Sequence, residues 1–151
     1  MTHQTSQILL HSLPAVRPYM EAAGTSTALS VFLTNEGSPE LATAFAHFFW
    51  PEFVEVEGCI FLKERYGPLN FQRWQKEYGG DRTLIERMVN HTHLDALFLK
   101  SDGVGEDAYD HLAHITARIW EAALQEQFPD KTFEFLISLE DEVAIYFWQV
   151  R

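Results

Sequence analysis

The chain has 151 residues, 46% of them apolar, and it carries 22 acidic side chains against 11 Lys and Arg, a net charge of −11. Length and apolar content predict one ordinary domain spanning 1–151 with a packed core, and exclude a chain that is disordered by composition. The acidity opposes contact with phosphate backbones, which argues against nucleic-acid binding and in favour of a basic protein partner.

The charge is uneven. Residues 101–151 hold 11 acids and only Arg118, Lys131 and Arg151 as bases, whereas Lys63 to Arg87 is locally basic. Cys59 is the only cysteine, so an internal disulfide and a multi-cysteine zinc site are both excluded. No stretch approaches about 18 apolar residues, and no basic segment precedes an apolar run at the N-terminus. The expectation is a soluble, cytoplasmic protein with no membrane span.

Along the chain, residues 1–28 carry Pro14, Pro18 and Gly24 among frequent Ser and Thr and predict a loosely packed N-terminal arm, with Ile8 to Leu13 as a short helix or anchor. Leu29–Leu33 is too short for its periodicity to separate strand from helix. Ser38-Pro39-Glu40 is a helix start: a capping hydroxyl, a ring suited to the first turn, and an acid facing the positive end of the dipole. Leu41, Ala44, Phe45, Phe48 and Phe49 then form one apolar face, which Pro51 ends.

Residues 53–62 alternate as a strand, with Gly58 as a bulge, so that Glu55, Glu57 and Cys59 would share a face. Asn70 is expected to cap a short helix that ends at Gly79-Gly80. Asp81 is expected to cap the next, with Leu84, Ile85, Met88 and Val89 inward. After a phase slip at Asn90-His91, a turn-rich loop covers Lys100 to Gly105.

The longest helix is predicted over 106–128, with Tyr109, Leu112, Thr116, Ile119 and Ala123 as its inner stripe. Residues 132–139 and 143–150 form a β-hairpin across Glu140-Asp141-Glu142. Its second strand is apolar on both faces and therefore belongs inside a sheet. The fold class is α+β: a small, mostly antiparallel sheet made of strand 53–62 and the C-terminal hairpin 132–150, packed by several helices.

Gly-rich phosphate loops, the dinucleotide fingerprint, His-Glu-x-x-His and Gly-x-Ser-x-Gly are all absent from the sequence. His91-Thr92-His93-Leu94-Asp95-Ala96 resembles the His-x-His-x-Asp-His motif of metallo-β-lactamase-fold hydrolases over six residues, with Ala96 in place of the last His. That resemblance implies a divalent metal holding a nucleophilic hydroxide. Without the family, His91, His93 and Asp95 alternate and could face one way as ligands in an extended loop. The same polar residues also suit a helix boundary, which is the reading preferred here.

A second group is the stripe Phe71, Trp74 and Tyr78 with Arg73, suited to a planar or anionic small ligand or, more simply, to a core. The third is the acidic C-terminal surface: Asp107, Asp110, Glu121, Glu140, Asp141 and Glu142. It involves the most residues. The function expected from the sequence is therefore a non-enzymatic interaction domain that binds a basic partner, with the size and charge of immunity proteins and antitoxins. The alternatives are a small metal-dependent hydrolase at His91, His93 and Asp95, and a ligand-binding module near Trp74. No cofactor is expected on the first reading.

Overall fold

In a computed structural model of the protein, residues 10–23, 28–98, 103–140 and 142–151 are described. Ile8, Leu9, Asp141 and the first half of the 100–105 loop lie outside them. A single 3-10 turn at Leu10–Ser12 precedes α1 (Arg17–Ala23) and α2 (Ala28–Glu36). Residues 29–33 are thus helical. Tyr19 joins these two helices, stacking edge-on against Phe32 and donating its hydroxyl to Glu36 at 2.5 Å.

Helix α3 (Pro39–Phe49) begins as its sequence requires, with Ser38 Oγ accepting the Leu41 N–H at 3.1 Å and Pro39 in the first turn. Next come β1 (Phe53–Val56) and β2 (Cys59–Leu62). These are two strands, not one. Glu57 and Gly58 both have positive φ (52° and 79°), the pattern of a tight two-residue hairpin turn.

The turn changes which residues share a face. Cross-strand partners are Phe53–Leu62, Val54–Phe61, Glu55–Ile60 and Val56–Cys59. Phe53, Ile60 and Leu62 therefore enter one apolar cluster, while Val54, Val56, Cys59 and Phe61 enter another. All four residues of β2 are buried. The expected face of Glu55, Glu57 and Cys59 does not form. Glu55 pairs with Lys131 at 3.0 Å, and Glu57 accepts from Gln75 at 2.6 Å.

Helix α4 (Pro68–Glu77) starts at Gly67 with Pro68 in the first turn, so Asn70 sits inside the helix and does not cap it. Helix α5 (Arg82–Asn90) is capped by Asp81, whose Oδ1 accepts the Leu84 N–H at 3.1 Å. Both helices pack on the Cys59/Phe61 face, where Phe71 and Ile85 are buried, whereas Leu84 is exposed. A two-residue strand β3 (Thr92–His93) leads directly into the single turn α6 (Leu94–Leu97).

Helix α7 (Glu106–Gln127) then crosses the other face. Its buried residues are Ala113, Thr116, Ala117, Trp120, Ala123 and Leu124. The stripe is rotated from the expected one: Ile119 is only half-buried, and the small Ala113 and Ala117 face inward where Leu112 and Ile119 were expected. Small residues allow the helix to approach the aromatic floor of the sheet closely.

Strands β4 (Phe133–Ser138) and β5 (Ala144–Gln149) form the C-terminal hairpin. The second sheet has the order β3-β5-β4, all antiparallel, so β5 is central, as its two apolar faces require. The fold is α+β, with a two-stranded and a three-stranded antiparallel sheet packed by helices. Among the described residues, no helix is long and apolar enough to cross a membrane.

The two sheets meet edge to edge without a shared ladder, and α5 fills the gap. Glu86 and Asn90 lie one turn apart on its buried side, each fully buried. Glu86 accepts the Ile60 N–H on one carboxylate oxygen at 2.7 Å and the Gln149 N–H on the other at 2.8 Å. Asn90 accepts from the Leu62 N–H at 3.0 Å and donates to the carbonyls of Ile60 at 2.9 Å and Phe147 at 3.4 Å. Arg151 closes the arrangement with a two-pronged contact to Glu86 at 2.9 and 3.0 Å, and it also donates to the Gly58 carbonyl at 3.0 Å.

Burial pushes the Cys59 thiol up to about 11 from its ordinary value of 9.0, with the Glu86 carboxylate adding to the effect. Two outcomes are expected. Iodoacetamide at pH 8 should leave native Cys59 unmodified and label it once the chain is unfolded. Because the folded value is the higher one, this contribution to stability is present below pH 9 and is lost as pH rises from 9.0 to about 11. Rapid labelling of the native protein would show that Cys59 is accessible.

Candidate functional site

Three separate segments converge on an acidic recess of about 270 Å³. The first turns of α7 contribute Glu106, Asp107, Tyr109 and Asp110; the β4–β5 turn contributes Leu139, Glu140, Glu142 and Val143; and α6 contributes Asp95. The acids at the start of α7 belong there on local grounds, since the helix N-terminus is its positive end and Gly105 offers no capping side chain. The turn acids are there because residues 140 and 142 are exposed between two strands. The tertiary fold then puts both groups on one wall.

Among the described residues, no Lys or Arg lines the recess. Two of its acids face histidines. His93 Nδ1 lies 2.8 Å from Glu142 Oε2, and His114 Nδ1 lies 2.9 Å from Asp110 Oδ1. Asp95 Oδ1 is buried and receives no hydrogen bond from any described residue. Of the six acids expected to form a partner surface, Asp107, Asp110, Glu140 and Glu142 line the recess. Glu121 is exposed further along α7, about 16 Å of helix beyond Asp110, and Asp141 is outside the described residues. Asp95, a candidate metal ligand on the sequence, and Glu106 also belong to the recess.

The segment His91 to Asp95 is a helix boundary carrying a short strand. His91 and His93 are close, ring centroids 5.1 Å apart and edge to face, but they point to different partners. His91 donates from Nδ1 to the Met88 carbonyl at 2.5 Å and stacks on Tyr146. His93 faces Glu142, and Asp95 faces the acidic recess. Among the described residues, no three His, Cys, Asp or Glu side chains form a group that could hold a metal ion.

The aromatic stripe of α4 is spent on packing. Phe71 is buried, Trp74 stacks on Tyr78 at 5.5 Å, and the Arg73 guanidinium lies 4.6 Å over the Trp74 ring. None of the four lines either recess described here.

A larger cleft, about 850 Å³, lies on the opposite side of α6, between α3, the end of β2 and α7. It is lined by Phe45, Phe48, Leu97 and Phe98, with the buried Leu62, Thr92 and Trp120 beneath. Phe98 stacks on Phe45 at 5.9 Å, and Phe48 meets both Phe98 and Trp120 edge-on. At the rim, Lys63 pairs with Glu52 and holds its carboxyl below the ordinary range. The cleft's residues are scattered from 44 to 120 in the chain, and no local pattern marks them as neighbours.

The chain matches no family model, and neither a curated protein nor a solved structure is significantly similar to it.

Proposed function

We propose that the protein is a non-enzymatic interaction module that receives a basic segment of a partner protein in the acidic recess. The observation that carries this reading is the convergence of Asp95, Glu106, Asp107, Asp110, Glu140 and Glu142 from three segments on one concave surface that, among the described residues, no Lys or Arg lines. A core does not require such crowding, and like charges held together oppose the folded state unless something positive relieves them. A Lys or Arg side chain entering the recess would do so, and it would supply the hydrogen-bond donor that Asp95 Oδ1 lacks.

Attraction of this kind acts mainly on the association rate and fades as salt shortens the screening length to ~8 Å at physiological strength. The test is a comparison of two double reversals of equal charge. Glu140→Lys with Glu142→Lys should slow association with a basic partner, captured from the native host at low salt, by about tenfold. Glu121→Lys with Glu126→Lys, which changes the net charge equally but outside the recess, should slow it much less. Equal effects from the two pairs would reduce the recess to part of a general negative field, and no effect from either would remove the reading's basis.

A further inference from the structure

The outward N–H and C=O groups of a strand edge are fixed in direction, so an edge is satisfied by another strand or by side chains placed to cap it. Elsewhere in this fold side chains do the capping. Glu86 and Asn90 bind the outward groups of β2 and β5, and Gln127 accepts the Phe53 N–H of β1 at 3.2 Å. Strand β4 is different. Val150 donates its N–H to the Thr132 carbonyl at 2.8 Å. By the alternation of an antiparallel ladder, Glu134, Leu136 and Ser138 then turn their backbone groups toward β5, and Phe133, Phe135 and Ile137 turn theirs away. The β5 side has the same phase, since Gln149 and Phe147 are bound on their far side by Glu86 and Asn90. Among the described residues, nothing bonds the outward backbone groups of Phe133, Phe135 or Ile137.

Proteins ordinarily blunt such an edge with Pro, Lys, a bulge or a very short strand. Strand β4 reads Phe-Glu-Phe-Leu-Ile-Ser, six residues in unbroken register with β5. Leu136 is 43% exposed on the face away from the core, and Phe135 and Ile137 are only half-buried at the core's margin.

The occupant follows from the strand's own symmetry. An antiparallel second copy centred on Phe135 sets Phe133, Phe135 and Ile137 against Ile137, Phe135 and Phe133, so every outward donor meets an outward acceptor. On the core side, Phe135 then meets Phe135 and Phe133 meets Ile137. On the other side Leu136 stands opposite Glu134, so no like charge lies directly across from the strand's single acid. We propose that β4 is a self-association edge, on which a second copy of the chain adds its own β4 antiparallel and joins the two three-stranded sheets into one. The pairing does not depend on the acidic recess. Each copy carries −11, so long-range repulsion opposes association and salt should strengthen it, the reverse of its effect on a basic partner.

The test is sedimentation of the full chain across the micromolar range at physiological salt. The mass should rise from 17.4 kDa toward twice that value. In the associated sample, amide exchange should slow at Phe135 and Ile137, whose neighbours Glu134 and Leu136 are already bonded to β5 in the single chain. Leu136→Glu sets like charges across the join and Leu136→Lys sets opposite ones, so association should be about tenfold weaker in the first than in the second. The same two substitutions at Ala42, exposed on α3, change the net charge equally and should give a much smaller gap. Both positions are exposed, and unchanged melting temperatures would show that the variants fold. A mass of 17.4 kDa at every concentration would overturn the proposal, as would a dimer in which the Phe135 and Ile137 amides exchange no more slowly. An equal gap at Leu136 and Ala42 would overturn the pairing centred on Phe135.

Discussion

Replacing Glu86 by Ala should destabilise the fold by about 4 kcal/mol, the scale seen when one partner of a buried ion pair is removed. The substitution deletes both acceptors of two backbone donors, Ile60 and Gln149, and leaves the Arg151 guanidinium facing an apolar gap. Each buried donor left without a partner costs roughly 1–3 kcal/mol. Glu86→Gln keeps the volume and one acceptor oxygen and should lose less, about 2 kcal/mol. Arg151→Met removes the charge partner but keeps both backbone bonds, so its effect should be smaller than that of Glu86→Ala. Urea unfolding measures all three as shifts in midpoint at constant slope. A Glu86→Ala midpoint close to that of the parent protein would mean that water satisfies the two sheet edges and that α5 does not join them.

Trp120→Ala should have a comparable effect, about 4 kcal/mol. The indole is 1% exposed, meets Phe48 and Phe147 edge-on, and anchors α3 through the Phe48 carbonyl. Trp120→Phe separates the two contributions. It retains most of the ring but removes the N–H, so global stability should fall by only about 1–2 kcal/mol. The local effect should appear at α3, which has no fully buried residue of its own. Proteolysis between residues 39 and 50 should then accelerate in Trp120→Phe more than elsewhere in the chain. If cleavage there is unchanged, α3 is held by the phenylalanine contacts alone.

Much of the fold was legible because its signals are local. Ser38-Pro39, Asp81 and Gly79-Gly80 act through hydrogen bonds and backbone angles within a few residues, and the C-terminal hairpin is written in two short apolar strands, the second apolar on both faces, on either side of an acidic turn. The 57–58 turn was missed because Glu57 is an uncommon residue at positive φ, and Gly58 alone reads equally well as a bulge. The missed turn also put Cys59 on a shared face with Glu55 and Glu57. The inner stripe of α7 was misplaced because Ala113 and Ala117 are buried for their small size, which hydrophobicity does not report. Glu86 and Asn90 look like ordinary solvent-facing helix residues; their burial depends on sheet edges about 26 and 63 residues away in the chain. The acidic recess was half legible, since charge density can be read from sequence, but the inclusion of Asp95 required the path of α6.

The joint at α5 also determines how the edges of the two sheets meet water. Ile60, Leu62 and Gln149 are at strand positions whose backbone N–H groups point away from their own ladders, where amide protons ordinarily exchange quickly with solvent. Here each is bound by a side chain of α5. Their exchange is therefore governed by the release of that one helix, not by fraying of either sheet. All three amides should open together, at a single free energy. That shared value measures how tightly the helix holds the two halves of the core in register.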